Sequence, residues 1–164
     1  MEIKAIKEFV EYAHTLDGDE KGDAQVFLDR LFQAFGHQGY KEAGAKLERR
    51  VRRKNKATAF ADLAWEPRLI TEMKKRGENL IRHYDQMRDY WHDIYPKPNY
   101  AILCNFDEFW IYDFFTQSEP VDKILLEDFP RRYLALNFML PEEKKPLFQN
   151  DMEFVSRKAA NKQC

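Results

Sequence analysis

The sequence predicts an α/β domain built on a mixed central sheet flanked by helices. Two amphipathic helical segments open the chain, three strand-like segments follow, and one more helix precedes two or three further strands. Strands and helices interleaved in this way are typical of a sheet that is covered by helices on its faces. The chain has 164 residues, of which 44% are hydrophobic and 34% charged, so it can bury one sizeable core.

The opening helices are predicted from apolar residues that recur every three or four positions. The second helix is expected to run from about Asp19 to Phe35 and to stop at Gly36, with a loop following to Gly44. The apolar positions of the first helix are Ile3, Ile6, Phe9, Val10 and Ala13.

A short strand is predicted from Ala45 to Arg53, and it leads into a strongly basic run. The one acid within this run is Glu48, on a strand that should neighbour the next one. A solvated turn would explain such a run, whereas clustered Lys and Arg are also what a phosphate backbone attracts. The arginines expected to contact DNA are Arg49, Arg50, Arg52 and Arg53.

The stretch from Ala59 to Lys74 predicts two apolar strands joined by a turn at Glu66-Pro67. Asp62 lies in the first strand, and Glu72 and Lys74 lie two apart in the second, so the latter two share a face. Charged groups inside an apolar hairpin need partners. A divalent metal ion would be such a partner.

The second half of the chain predicts a helix and then further strands. The helix begins near Glu78, ends before Pro96 and packs through an apolar stripe that includes Met87 and Trp91. The remaining predicted segments are strands at Tyr100–Cys104 and Phe109–Phe115, an edge strand at Ile124–Leu126, and a short helix or irregular apolar stretch at Phe129–Met139.

Oxygen ligands suit Mg²⁺, which usually takes one or two carboxylates together with waters and substrate phosphates. Asp62, Glu72 and the backbone carbonyl of Met73 would supply such a partial shell. Lys74 follows Met73 directly and could orient the water or stabilise the pentavalent phosphorus with its compact, movable charge.

Asp62 through Lys74 resembles the PD-(D/E)xK nuclease signature, with Ala61 in place of the proline. Gln86-Met87-Arg88-Asp89-Tyr90 resembles the Q-x-x-x-Y motif of the RecB-like branch of that superfamily. The wider sequence, FADLAWEPRLITEMKKRGENL, HYDQMRDYW and YAILCNFDEFWIYDF, is similar to the amino-terminal nuclease domain of MmeI-like restriction-modification enzymes.

This resemblance implies a restriction-endonuclease-like fold and roles for individual residues. Asp62 and Glu72 match the metal-binding acids, Lys74 the catalytic lysine, and Gln86 a glutamine that supports the site from its helix. Tyr90 matches the partner of that glutamine, and Glu48 matches, more loosely, an additional upstream acid. It also implies Mg²⁺ as cofactor, double-stranded DNA as substrate and a second copy on DNA for double-strand cleavage.

In MmeI-like enzymes a helical linker, a methyltransferase and a target-recognition domain follow the nuclease. Residues 1–140 are therefore expected to form the nuclease domain, and residues 141–164 to begin that linker. The chain carries no glycine-rich cofactor motif and no N-P-P-Y-type motif, so S-adenosylmethionine would bind elsewhere in a fused enzyme. The resemblance implies a cytoplasmic, prokaryotic location, and two cysteines without a disulfide framework are typical of a reduced, intracellular protein. No membrane attachment is expected, since no apolar run reaches the length of a membrane span.

Two other interpretations compete with a nuclease. The fold could serve as a catalytically silent DNA-binding or assembly module, although the intact Asp62, Glu72 and Lys74 argue against a decayed site. Alternatively, the three charges could be a surface ion pair plus a stray acid, with Gln86 and Tyr90 as ordinary helix residues.

Overall fold

Six strands form one mixed sheet in the order β1–β2–β3–β4–β5–β6. The structure is a computed structural model that describes residues 3–51 and 59–149. Strand β3 pairs in parallel with β4, and the other neighbours pair antiparallel. The predicted fold class is confirmed. The strands are β1 (Lys46–Val51), β2 (Ala59–Trp65), β3 (Leu69–Met73), β4 (Tyr100–Cys104), β5 (Glu108–Tyr112) and β6 (Asp122–Leu125).

Five α-helices and three short 3₁₀ turns accompany the sheet in the described residues. The helices are α1 (Ile3–Thr15), α2 (Ala24–Ala34), α3 (Tyr40–Ala43), α4 (Tyr84–Asp93) and α5 (Phe129–Arg132). The 3₁₀ turns are Leu80–His83, Leu126–Asp128 and Tyr133–Met139.

Several predicted boundaries are wrong, because side chains stop or delay the regular elements. Helix α2 begins at Ala24 rather than near Asp19, since the Asp23 carboxylate accepts hydrogen bonds from the Gly18 and Asp19 amides and fixes a turn. Helix α3 forms inside the predicted loop. Strand β5 ends before Phe115, whose amide donates to the Asp113 carboxylate.

Two apolar clusters cover the two faces of the sheet. One joins the sheet to α1, α2 and α5, and its aromatic centre includes Phe27, Phe109 and Phe129. The other joins the sheet to α4 through Met87 and Leu103. Successive residues of β4 and β5 alternate between the clusters, as the strand period requires.

Residues 141–149 lie against the domain. The Arg68 guanidinium donates to the carbonyls of Phe138, Leu140 and Pro141, and the Phe148 ring packs on Tyr100. Residues 150–164 are outside the described part of the chain, so the predicted start of a helical linker at residue 141 stays a prediction. Within residues 3–51 and 59–149, no helix is both long enough and apolar enough to cross a membrane.

Candidate active site

Strands β2 and β3 separate where the two predicted acids face each other. Their antiparallel pairing runs from Trp65↔Leu69 to Leu63↔Thr71, so Asp62 and Glu72 occupy the next opposing positions. Beyond that point β3 continues beside β4, with Glu72 paired to Leu103. The acids therefore lie in adjacent positions on neighbouring strands, as the hairpin predicted.

Each acid accepts one backbone hydrogen bond across the gap between the strands. Asp62 Oδ2 accepts from the Met73 amide at 2.6 Å, and Glu72 Oε1 accepts from the Asp62 amide at 3.0 Å. These bonds replace the ladder bonds that the separated strands no longer make. Within the described residues the other oxygens, Asp62 Oδ1 and Glu72 Oε2, make no hydrogen bond, although Glu72 Oε2 lies 3.9 Å from Lys74 Nζ.

Burial disfavours the charged form of both acids. Desolvation is the main cause that raises the pKa of Asp62, and it outweighs the hydrogen bond from Met73 and the charge of Lys74. Desolvation, and after it the charge of Asp62, raises the pKa of Glu72 to about 8. Two carboxylates that share a half-buried site with one ammonium therefore favour the uptake of a proton or of a further cation.

Lys74 lies between two acids that come from distant parts of the chain. Its Nζ is 3.9 Å from Glu72 Oε2 and 3.8 Å from Glu20 Oε1. The side chains of Glu72 and Lys74 are 4% and 12% exposed, which contradicts the interpretation of a surface ion pair. Sequence reasoning missed Glu20, since the turn that carries it also holds three aspartates and nothing local distinguishes one acid from another.

Glu48 lies opposite Asp62 in the register of β1 and β2, at a point where both strands lose their regular alternation. Pairing is made on either side, at Leu47↔Leu63 and Arg49↔Ala61, but not between Glu48 and Asp62. Leu63 and Ala61 are two apart, yet they pack into opposite clusters. Glu48 has a φ of +52°, is exposed, and adds a negative charge that raises the pKa of Asp62.

Gln86 and Tyr90, the helix pair of the predicted signature, contact each other. The Gln86 amide donates to the Tyr90 hydroxyl at 2.9 Å. Tyr90 is buried in the cluster on the α4 face, which also contains Ala61 and Ile70 of the strands. Within the described residues Gln86 makes no hydrogen bond to Asp62 or Glu72, and its support of the site from the helix stays a prediction.

The basic edge of the sheet is built differently from the acid pair. Arg49 forms a double hydrogen bond through Nε and Nη2 to one oxygen of Glu66, so its charge is already partly matched. Arg50 is exposed, and both arginines line a surface groove with Tyr95, whose side chain projects into solvent. Arg52 and Arg53 lie outside the described residues.

The donor set fits a hard divalent cation such as Mg²⁺. Asp62 and Glu72 each offer a carboxylate oxygen, and the Met73 carbonyl stays the predicted third ligand. No set of three His, Cys, Asp or Glu side chains suited to a metal occurs in residues 3–51 and 59–149. A shell completed by water and phosphate is the arrangement that Mg²⁺ favours.

A six-stranded mixed sheet with helices on both faces and a split beside two acids defines a restriction-endonuclease-like α/β domain. The fold is similar to part of a solved DrdV–DNA complex, with a TM-score of 0.50 and 14% sequence identity over 77% of this chain. The matched region spans 12% of the DrdV chain. A search of curated proteins found no match.

The chain belongs to the family described as MmeI, N-terminal domain. The model of that family matches residues 1–162. The match includes both acids, Lys74, the Gln86–Tyr90 pair and the basic edge. The MmeI-like resemblance of the sequence is thereby confirmed.

Proposed function

We propose that this chain is the Mg²⁺-dependent endonuclease domain of a type II restriction-modification enzyme, and that it hydrolyses phosphodiester bonds of double-stranded DNA. The observation that carries the proposal is the split between β2 and β3. There, Asp62 and Glu72 each direct one oxygen to a backbone amide, which leaves Asp62 Oδ1 and the lysine-facing Glu72 Oε2 to bind a metal ion.

The charges of the site support metal binding. Asp62, Glu72 and Glu20 place three acids around the single ammonium of Lys74, and Glu48 adds a further negative charge near Asp62. Excess negative charge in a half-buried place is costly unless a cation or protons offset it. A bound Mg²⁺ would offset the charge, stabilise a phosphate as it gains charge and lower the pKa of a coordinated water.

The residues of the chain divide the remaining tasks. The backbone hydrogen bonds orient both carboxylates before any ligand arrives, so little ordering is left to the reaction itself. Lys74 holds a compact positive charge beside Glu72, where it can stabilise the reacting phosphate or orient a water. Arg50, at the exposed edge of the sheet, supplies sequence-independent attraction for the DNA backbone.

The family and the DrdV–DNA neighbour support the context of this activity. In MmeI-like enzymes the nuclease is fused to methyltransferase and target-recognition parts, so the remainder of such an enzyme would supply specificity and the S-adenosylmethionine site. A second copy on the DNA would cut the other strand.

Cleavage of plasmid DNA by the full natural protein that carries this chain tests the proposal. We expect Asp62→Asn and Glu72→Gln each to reduce Mg²⁺-dependent cleavage at least about 100-fold, because each removes a charged ligand. Glu11→Gln, an exposed acid on α1, is the matched control and should cleave like the wild type. Cleavage by both site variants at the wild-type rate would overturn the mechanism. Tight DNA binding without any cleavage by the wild type in Mg²⁺ would instead identify a silent DNA-binding module.

A further inference from the structure

The turn between α1 and α2 delivers Glu20 to the same lysine that the proposed reaction uses. Glu20 Oε1 lies 3.8 Å from Lys74 Nζ, as close as the 3.9 Å that separates this nitrogen from Glu72 Oε2. Lys74 is nearly buried, whereas the Glu20 side chain is 45% exposed. The ammonium is thus held between an acid of the sheet and an acid from outside the sheet.

The first anchor of this turn is Arg76, two residues after the lysine. Its backbone amide donates to the Gly18 carbonyl at 2.9 Å, and its guanidinium donates to the carbonyls of Ala13 and Leu16. Gly18 has a φ of +83°, and a Cβ there would lie 2.4 Å from the Arg76 Cβ. The chain after β3 and the end of α1 are therefore in contact at a position that only glycine permits.

The second anchor lies within the turn. Asp23 Oδ2 accepts hydrogen bonds from the amides of Gly18 and Asp19, at 2.9 and 3.1 Å. Asp19 Oδ2 accepts from the Gly22 amide at 2.8 Å. The residues on both sides of Glu20 are thus held by hydrogen bonds, and the position of its backbone does not depend on the weak attraction of an exposed ion pair.

We propose that Glu20 is a positioning residue for Lys74. The proposal rests on the proposed function, in which Glu72 is a metal ligand and shares its charge between the metal and the lysine. Glu20 is not among the proposed ligands, so its carboxylate stays available to the ammonium when Glu72 is engaged. Held by Glu20, Lys74 remains beside the substrate phosphate instead of turning towards solvent.

A positioning role predicts a loss of turnover without a loss of DNA affinity. In the full natural protein, Glu20→Gln should lower kcat for Mg²⁺-dependent cleavage about tenfold and leave KM for DNA within about twofold, since displaced catalytic groups slow the reaction without changing binding. Asp17→Asn is the matched control, because it removes one negative charge from the same turn and its side chain is exposed. An equal fall in kcat in Glu20→Gln and Asp17→Asn, or a rise in KM without a fall in kcat, would overturn the proposal.

A second readout follows the lysine itself in this chain without metal or DNA. With lysines labelled at the ε-carbon with ¹³C, the Lys74 signal is identified by its absence from the Lys74→Arg spectrum. We expect it to narrow and to move towards the exposed-lysine signals in Glu20→Gln, but not in Asp17→Asn. A Lys74 signal that is unchanged in Glu20→Gln would contradict the proposal.

The Lys74→Ala variant separates the two claims. If Lys74→Ala cleaves at the wild-type rate, the lysine is not catalytic, and the role that the proposed function gives to Lys74 is wrong. If Lys74→Ala is inactive while Glu20→Gln matches the wild type in turnover and in the Lys74 signal, the positioning role of Glu20 alone is overturned.

Discussion

Two charged regions of this molecule differ in how their charges are held. At the split between β2 and β3, the acids and Lys74 are largely buried, and backbone amides fix the carboxylates. At the edge strand β1, the arginines are exposed or half-exposed, and Arg49 is matched by the surface acid Glu66.

This difference indicates separate tasks for the two regions. Burying like charges costs folding free energy, and such arrangements are concentrated at sites that bind a ligand or react. Exposed arginines cost little, and they attract any polyanion without demanding a defined geometry. The split is therefore the place that we propose for the reaction, and the β1 edge is the surface that we propose for contact with the DNA backbone.

Removing the lysine should have the largest effect. Lys74→Ala is expected to reduce Mg²⁺-dependent cleavage about 100-fold or more, because the lost charge acts on the reacting phosphate. Metal binding should persist, since Lys74 is not a ligand. Cleavage rates of the full natural protein check this, with the exposed Lys7→Ala as control. A variant that cleaves normally would remove the lysine from the chemistry.

Filling the contact between Gly18 and Arg76 should disturb the turn that carries Glu20. Gly18→Ala is expected to lower the free energy of unfolding by about 2–4 kcal/mol, from a strained φ together with a steric clash. Gly77→Ala is the matched control, because Gly77 has a φ of +85° but no atom within 4 Å of its would-be Cβ. The free energy of unfolding of Gly77→Ala should fall by only about 1 kcal/mol. Equal losses in urea unfolding would show that the close contact contributes nothing.

Neutralising Glu72 should stabilise the protein when no metal is present. Burial and Asp62 raise the pKa of Glu72 from 4.5 to about 8, so between these values the folded state binds a proton that the unfolded state has released. Stability then falls as pH rises through this window. Glu72→Gln keeps an oxygen for the Asp62 amide but does not titrate.

The free energy of unfolding of Glu72→Gln should exceed that of the wild type by an amount that grows from about pH 5 to pH 8. The difference should reach roughly 1–2 kcal/mol, or a few degrees in Tm. Thermal melts in a metal chelator measure it. A difference that does not change with pH would mean that Glu72 ionises normally in the folded protein.

The smallest effect is expected at the β1 edge. Arg50→Gln should lower the slope of log K for DNA against log salt by about one unit, because one phosphate contact is lost. Arg49→Gln should change the slope less, since Glu66 already pairs with Arg49. Equal slopes for Arg50→Gln and the wild type would leave this edge as an ordinary solvated surface.

Local spacing in the sequence was enough to predict the hairpin and its acids. Asp62 and Glu72 lie in one hairpin, and strand alternation brings Lys74 to the face of Glu72. Glu20 lies 54 positions before Lys74 along the chain, and its approach depends on Arg76 binding the end of α1. No local period encodes that tertiary contact.

The same limit applies to strand details. At Glu48 and Asp62 the side chains of β1 and β2 stop alternating regularly between the two faces of the sheet, at the point where the two strands are not paired. The sequence of each strand taken alone does not indicate this irregularity. The ion pair of Arg49 with Glu66 depends on the pairing of β1 with β2, so the sequence alone overestimates the unpaired positive charge at this edge.

Metal binding by the acid pair is the central claim, and counting bound ions tests it most directly. Mn²⁺, which shares the preference of Mg²⁺ for oxygen ligands, can be titrated into this chain at pH 8 while electron paramagnetic resonance measures the free ion. We expect one site in the wild type and in Lys74→Ala, and loss of that site in Asp62→Asn and Glu72→Gln. Equal binding by the wild type and Asp62→Asn, or none by the wild type, would contradict the account.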